Sequence, residues 1–256
     1  MKNPSIQNYA ALAFIYTLLQ GVGMAIMHWG WNINYAIGQR FVYGVLVVEI
    51  IVAILIVFFV TRYASWREVG YDKISWVNTL WVLPFLIASG IITVTIFRAA
   101  LQPGVAFSAL VGVMAAALLA LIVGFCEETM FRGIVLRGAL LRHGLFVSIL
   151  ISAVAFMLLH VVNVLGGNPL SDMPSHLSSQ IWYGLLMAPL ALKIRNLIPL
   201  ILVHAMWDFS SLATNFVEIN DGGLINGAFV AGPLLHYGIM IAILLVLLFE
   251  RKRYAS

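Results

Sequence analysis

Residues 41 to 61 read FVYGVLVVEIIVAILIVFFVT, a stretch with one charge, Glu49. About 20 helical residues cross a hydrocarbon core of about 30 Å, so a run like this is long enough to span a bilayer. Runs of the same kind recur through the chain, at roughly 8–29, 41–61, 76–97, 106–130, 145–165, 178–192, 197–216 and 231–249. In lipid every backbone N–H and C=O must be satisfied within the protein, which leaves helices and closed barrels. The runs are continuously apolar rather than alternating, so the expected fold is all-α: a polytopic transmembrane bundle of about eight helices. The sixth run is short and holds Pro189, which predicts a tilted or broken segment.

Hydrophobic residues make up 62% of the chain and charged residues 9%, against about 45–50% and about 25% in soluble domains. The connections at about 62–75, 166–177 and 217–229 are short, and no repeat or low-complexity stretch is visible, so a single membrane domain over 1–256 is expected. The first run has one lysine before it and no small-residue cleavage site after it, and reads as a retained helix. One cysteine, Cys126, rules out an internal disulfide.

Basic residues set the expected orientation. With Arg251, Lys252 and Arg253 in the cytoplasm, an even number of spans puts both termini there. Of the 14 Lys and Arg residues only Arg40 and Arg98 then fall outside, and the outer loop with Glu218 and Asp221 carries no basic residue. The net charge of +4 thus reports membrane orientation. Nucleic acid is excluded as a partner, because the cations are dispersed over separate loops rather than gathered on one face.

The costly residues are elsewhere. Glu127, Glu128 and Arg132 follow directly on the uncharged run 106–126. An ionisable side chain at a helix centre costs about 2.5–3.5 kcal/mol even on the lowest insertion scales. Runs four and five form a hairpin turning at Arg142, His143 and Gly144, a place where glycine can end a helix. Glu127 and His160 are nearly equidistant from that turn and so share a level. His204, in the seventh run, reaches the same level if the hairpin tip protrudes, which puts the site in the cytoplasmic half of the membrane. Glu128 and Arg132, four apart, face each other as a neutralising pair, which leaves Glu127 free to face a cavity. Phe156 with His160, and His204 with Asp208, are also four apart and share a face. Taken singly, each pair has an ordinary packing explanation. Four ionisable residues at one level on three helices do not, because helix association in lipid needs only small residues and weak polar contacts.

Three patterns occur in order: Glu-Glu-x-x-x-Arg (Glu127, Glu128, Arg132), Phe-x-x-x-His (Phe156, His160) and His-x-x-x-Asp (His204, Asp208). Together they resemble the CPBP family of intramembrane proteases, which includes type II CAAX prenyl endopeptidases and bacteriocin-processing and self-immunity proteins. The resemblance covers about residues 120–210. It departs at Asp208, where the eukaryotic CAAX proteases carry asparagine. It implies an endopeptidase acting on a peptide or membrane-protein substrate, prenylated or leader-bearing, through glutamate-based activation of water.

The expected roles follow from the chemistry. Glu127 and His160 hold and deprotonate a water, His204 donates to the oxyanion, and Asp208, acceptor only, orients His204. Glu128, Arg132 and Phe156 support these structurally. No cofactor is expected; zinc is the alternative, with Glu127, His160, His204 and Asp208 as its ligands, although no His-Glu-x-x-His pair is present. Glu49, mid-run, is a further functional flag. Asn163 is expected to orient His160 or to face the outer loop, and His28, His143, His176 and His236 are expected to be solvated. The rival classes are a proton-coupled transporter, for which no repeated halves are visible, and an inactive scaffold or immunity protein. The expected location is a bacterial inner membrane.

Overall fold

The computed structural model describes residues 6–36, 38–219 and 224–250, with side chains omitted at 6 and 224–236. Lys2, Asp221, Arg251, Lys252 and Arg253 lie outside the described residues, as does the side chain of His236.

Helical segments occur at all the expected places: α1 (Gln7–Gly30), α2 (Gly38–Tyr63), α3 (Trp76–Ala100), α4 (Phe107–Leu140), α5 (Leu145–Gly166), α6 (Met173–Ile194), α7 (Ile198–Leu212) and α8 (Leu224–Glu250). Among the described residues five of these, α1 to α5, are long and apolar enough to cross a membrane, which supports the expected bundle in part. The other three fall short for different physical reasons. The 15 residues of α7 span about 22 Å, less than a hydrocarbon core. Helix α6 begins five residues before the apolar run, with polar turns that include Ser175, His176, Ser178, Ser179 and Gln180. Of α8, the part described with side chains, Tyr237–Glu250, is an apolar helix shorter than a span. Pro189 lies inside α6 and does not interrupt it.

Helix α4 is the central element, packed on α7 and α2, while α5 packs on α6, and α3 and α8 close the sides. Close approach is built into the sequence. A Cβ on Gly124 would meet the Ile201 carbonyl oxygen at 2.9 Å, so this glycine is what lets the α7 backbone lie against α4. Gly184 plays the same part between α6 and α5, where a Cβ would sit 2.8 Å from Ala153 Cα. The outer faces carry exposed Phe14, Ile54, Phe58 and Phe107, as lipid contact requires.

The two ends of the bundle are closed differently. At one end the Tyr35 N–H donates to the Gly166 carbonyl at 2.7 Å and the Gly38 N–H to Asn215 Oδ1 at 2.9 Å, joining the connections after α1, α5 and α7. At the other, the Leu197 N–H donates to Gly70 at 3.0 Å, Asn196 Nδ2 donates to the Asp72 carbonyl, and Asp72 pairs with Arg67 and Arg195. The Lys73 backbone N–H, and then the two guanidiniums, hold the half-buried Asp72 carboxyl below its ordinary range. The α4–α5 turn closes with His143 N–H on Ala139 O at 2.9 Å. Gly144 is extended there (φ −66°) and starts α5, so no left-handed glycine ends α4.

Candidate active site

The hydrogen-bonding pattern of α4 changes where its charges begin. From Glu128 to Val135 the helix widens to π geometry, then returns to α from Leu136. Such widenings gather at functional sites. The buried Ser152 hydroxyl, from α5, donates to the Phe131 carbonyl within this stretch at 2.8 Å. Arg132 is wholly buried. Its Nε lies 3.3 Å from Glu128 Oε2, as the spacing predicts. Its guanidinium also stacks 4.1 Å from the Phe156 ring centre and 5.4 Å from that of Tyr183, contacts of about 2 kcal/mol when desolvated.

Glu128 has a second partner that helical spacing could not reveal. Its Oε1 lies 2.9 Å from His204 Nδ1, across the α4–α7 contact that Gly124 permits. The other ring nitrogen, Nε2, faces Asp208 Oδ2 at 3.3 Å and Glu127 Oε2 at 3.6 Å. The imidazole is thus held at one nitrogen by Glu128 and presented at the other to two carboxylates.

His160 stands where α5 tightens into a 3-10 turn, its ring 4.9 Å from that of Phe156. Its Nδ1 lies 2.9 Å from the Phe156 carbonyl oxygen. A carbonyl only accepts, so Nδ1 carries the proton and Nε2 of the neutral ring keeps its lone pair. Phe156 also meets the rings of His204 (6.3 Å), Tyr183 (5.5 Å) and Phe131 (5.4 Å). It is the apolar wedge against which both histidines and Arg132 are set.

Glu127, His160, His204 and Asp208 line one cavity of about 610 Å³. It extends past Tyr35, Ala36, Asn163, His176 and Leu212, toward the end of the bundle opposite the Arg142 turn. Asn163 faces that end: its Nδ2 donates to the Tyr35 hydroxyl at 3.0 Å and to His176 Nε2 at 3.1 Å, not to His160. His176 is therefore no solvated loop residue. It lies on α6 with its ring 5.4 Å from that of His160, a position the sequence reading missed by starting the helix at 178. His28 likewise has a buried Nδ1. Tyr183 and Gln20 also line the cavity; their only sequence signal is a polar group within an apolar run. Among the described residues no group of three or more His, Cys, Asp or Glu is placed to hold a metal ion.

Residues 108–210 match the family described as type II CAAX prenyl endopeptidase, Rce1-like. The match begins twelve residues before the motif-bearing stretch picked out by sequence and ends at the same place. No curated protein and no solved structure matches the chain. The segment that carries the Glu127, His160 and His204 constellation is thus the one that matches the Rce1-like family of type II CAAX prenyl endopeptidases.

Proposed function

We propose that this chain is an intramembrane endopeptidase that hydrolyses a peptide bond of a membrane-associated substrate, prenylated or leader-bearing, with an activated water. The observation that carries the reading is the meeting of Glu127 Oε2 and His204 Nε2, 3.6 Å apart, in a cavity that His160 also lines.

In the proposed reaction a water lies between the Glu127 carboxylate and the free Nε2 of His160. Glu127 takes one of its protons as the water oxygen attacks the scissile carbonyl carbon. The charge that develops on the carbonyl oxygen is met by the His204 Nε2–H. Glu127 then returns the proton to the leaving nitrogen as the C–N bond breaks, giving a new carboxylate and a new amine. Glu128 fixes the His204 ring through Nδ1, and Arg132 balances Glu128. Asp208 steadies the Nε2 side. The proposed steps are metal-free.

Charge distribution supports an orientation. Arg62, Arg67, Lys73, Arg137, Arg142, Lys193 and Arg195 lie at or near the end of the bundle away from the cavity's extension. Placing that end in the cytoplasm makes a multi-pass protein of a bacterial inner membrane with both termini inside. The cavity then extends outward from the site.

The test uses full-length protein in lipid nanodiscs and a fluorescence-quenched peptide ending in a prenylated CAAX sequence. Cleavage by the wild type and none by Glu127→Ala supports the proposal. Equal signals from both proteins, or none from either, overturn it for this substrate class.

A further inference from the structure

Glu49 lies on α2, outside the family-matched segment, and is 3% exposed. Its Oε1 accepts from Gln20 Nε2, on α1, at 2.6 Å. Among the described residues its Oε2 has no hydrogen-bond partner. The neighbouring Cys126 thiol, a weak donor, lies 3.9 Å from the Glu49 backbone oxygen. Glu49 and Gln20 both line the cavity that holds Glu127 and His204.

A residue present only for packing would have both oxygens satisfied or would be apolar. A buried polar atom left unpaired costs about 1–3 kcal/mol, and in a membrane protein a buried carboxyl is expensive to begin with. The substrate has the complementary need. A peptide bond can be attacked only when its backbone is drawn out of helical structure, and within the membrane each freed N–H and C=O then needs a partner. We propose that Glu49, steadied by Gln20, binds the backbone of the substrate peptide in this cavity, its free carboxyl oxygen hydrogen-bonding one main-chain amide. The inference rests on the protease reading and adds a substrate-binding residue from a part of the chain that the family match does not cover. The contact exists before and during bond cleavage alike, so its loss weakens binding more than turnover.

The experiment measures KM and kcat for the quenched prenyl-CAAX peptide with the full-length protein in nanodiscs. Glu49→Leu removes the hydrogen bond, and Glu49→Asp keeps the carboxyl but withdraws it by one methylene. Both should raise KM about tenfold, the equivalent of one hydrogen bond, with kcat within about threefold. Glu49→Gln should bring KM back toward wild type. Its amide, paired with the Gln20 amide in either orientation, keeps one hydrogen-bonding atom free. Should the leucine variant fail to fold, the aspartate and glutamine pair reads the same contrast. Unchanged KM in the aspartate and leucine variants of an active enzyme, or a loss confined to kcat or thermal stability, overturns the inference and leaves the protease reading standing. A wild type that does not cleave the peptide overturns both for this substrate.

Discussion

His204 Nδ1 lies 2.9 Å from Glu128 Oε1, so the imidazole that faces the cavity is held from behind by the carboxylate that also pairs with Arg132. Three buried residues on two helices thereby act as one unit. The first carboxylate of the Glu-Glu pair faces the cavity, and the second fixes the geometry.

The first prediction concerns the residues at the reacting centre. Glu127→Gln, His160→Ala and His204→Ala should each lower kcat by a factor on the order of 10³, the scale of a lost base or oxyanion donor. All three should elute as folded protein in detergent. Turnover in Glu127→Gln at more than a tenth of wild type would remove Glu127 as the base.

Arg132→Ala takes the guanidinium from Glu128 in a site where both side chains are wholly buried, and leaves it His204 alone. Breaking such a pair costs about 3–5 kcal/mol, so the thermal midpoint in detergent should drop sharply and activity with it. The double variant Glu128→Met with Arg132→Met should regain stability, because no charge is left unpaired. It should stay inactive, because His204 has lost its Nδ1 support. A fully active double variant would show that Glu128 does not position His204.

Asp208→Asn should retain substantial activity, since an amide oxygen can still accept the Nε2–H that lies 3.3 Å away. Activity should resist chelators, and elemental analysis should find no stoichiometric zinc. One tightly bound zinc per chain, required for activity, would contradict the metal-free mechanism while sparing the protease reading.

Gly124→Ala places a methyl 2.9 Å from the Ile201 carbonyl and 3.5 Å from His204 Cβ. Helix α7 must move back, and a displacement of even about 1 Å at a reacting centre costs about a hundredfold. Activity should therefore fall far more than thermal stability. An active Gly124→Ala enzyme would mean that the α4–α7 approach does not set the site.

These predictions separate what a linear reading could reach from what it could not. Among the described residues the apolar runs located the eight helices, because contact with lipid leaves a continuous apolar signal. Pairs four apart foresaw the Glu128–Arg132 bridge, the Phe156–His160 contact and the His204–Asp208 contact, because each rests on a single helix. The link from Glu128 to His204 was not legible, since it depends on how closely α4 and α7 approach. Nor was the place of His176: the apolar run starts five residues after helix α6 does, and a polar first turn reads as loop. Asn163 lay where expected in sequence but binds Tyr35 and His176, partners set by the meeting of three connections. The level of the site follows in sequence from α4, α5 and α7, whereas the cavity's extension follows from its lining by Tyr35, Asn163, His176 and Leu212, which only the packing brings together.

Orientation is directly measurable because Cys126 is buried and is the chain's one cysteine. In the proposed topology Ala36→Cys should react with a membrane-impermeant maleimide in intact cells. Arg142→Cys should react only after lysis. The reverse pattern would turn the cavity's extension toward the cytoplasm.

The central claim, hydrolysis of a membrane substrate by Glu127-activated water, is tested most directly by comparing the membrane proteomes of wild-type and Glu127→Ala strains with mapped peptide termini. The account predicts that at least one uncleaved precursor accumulates in the Glu127→Ala strain, that its processed terminus disappears, and that wild-type protein restores it. Identical termini in the two strains, with both proteins present at equal levels, would contradict it.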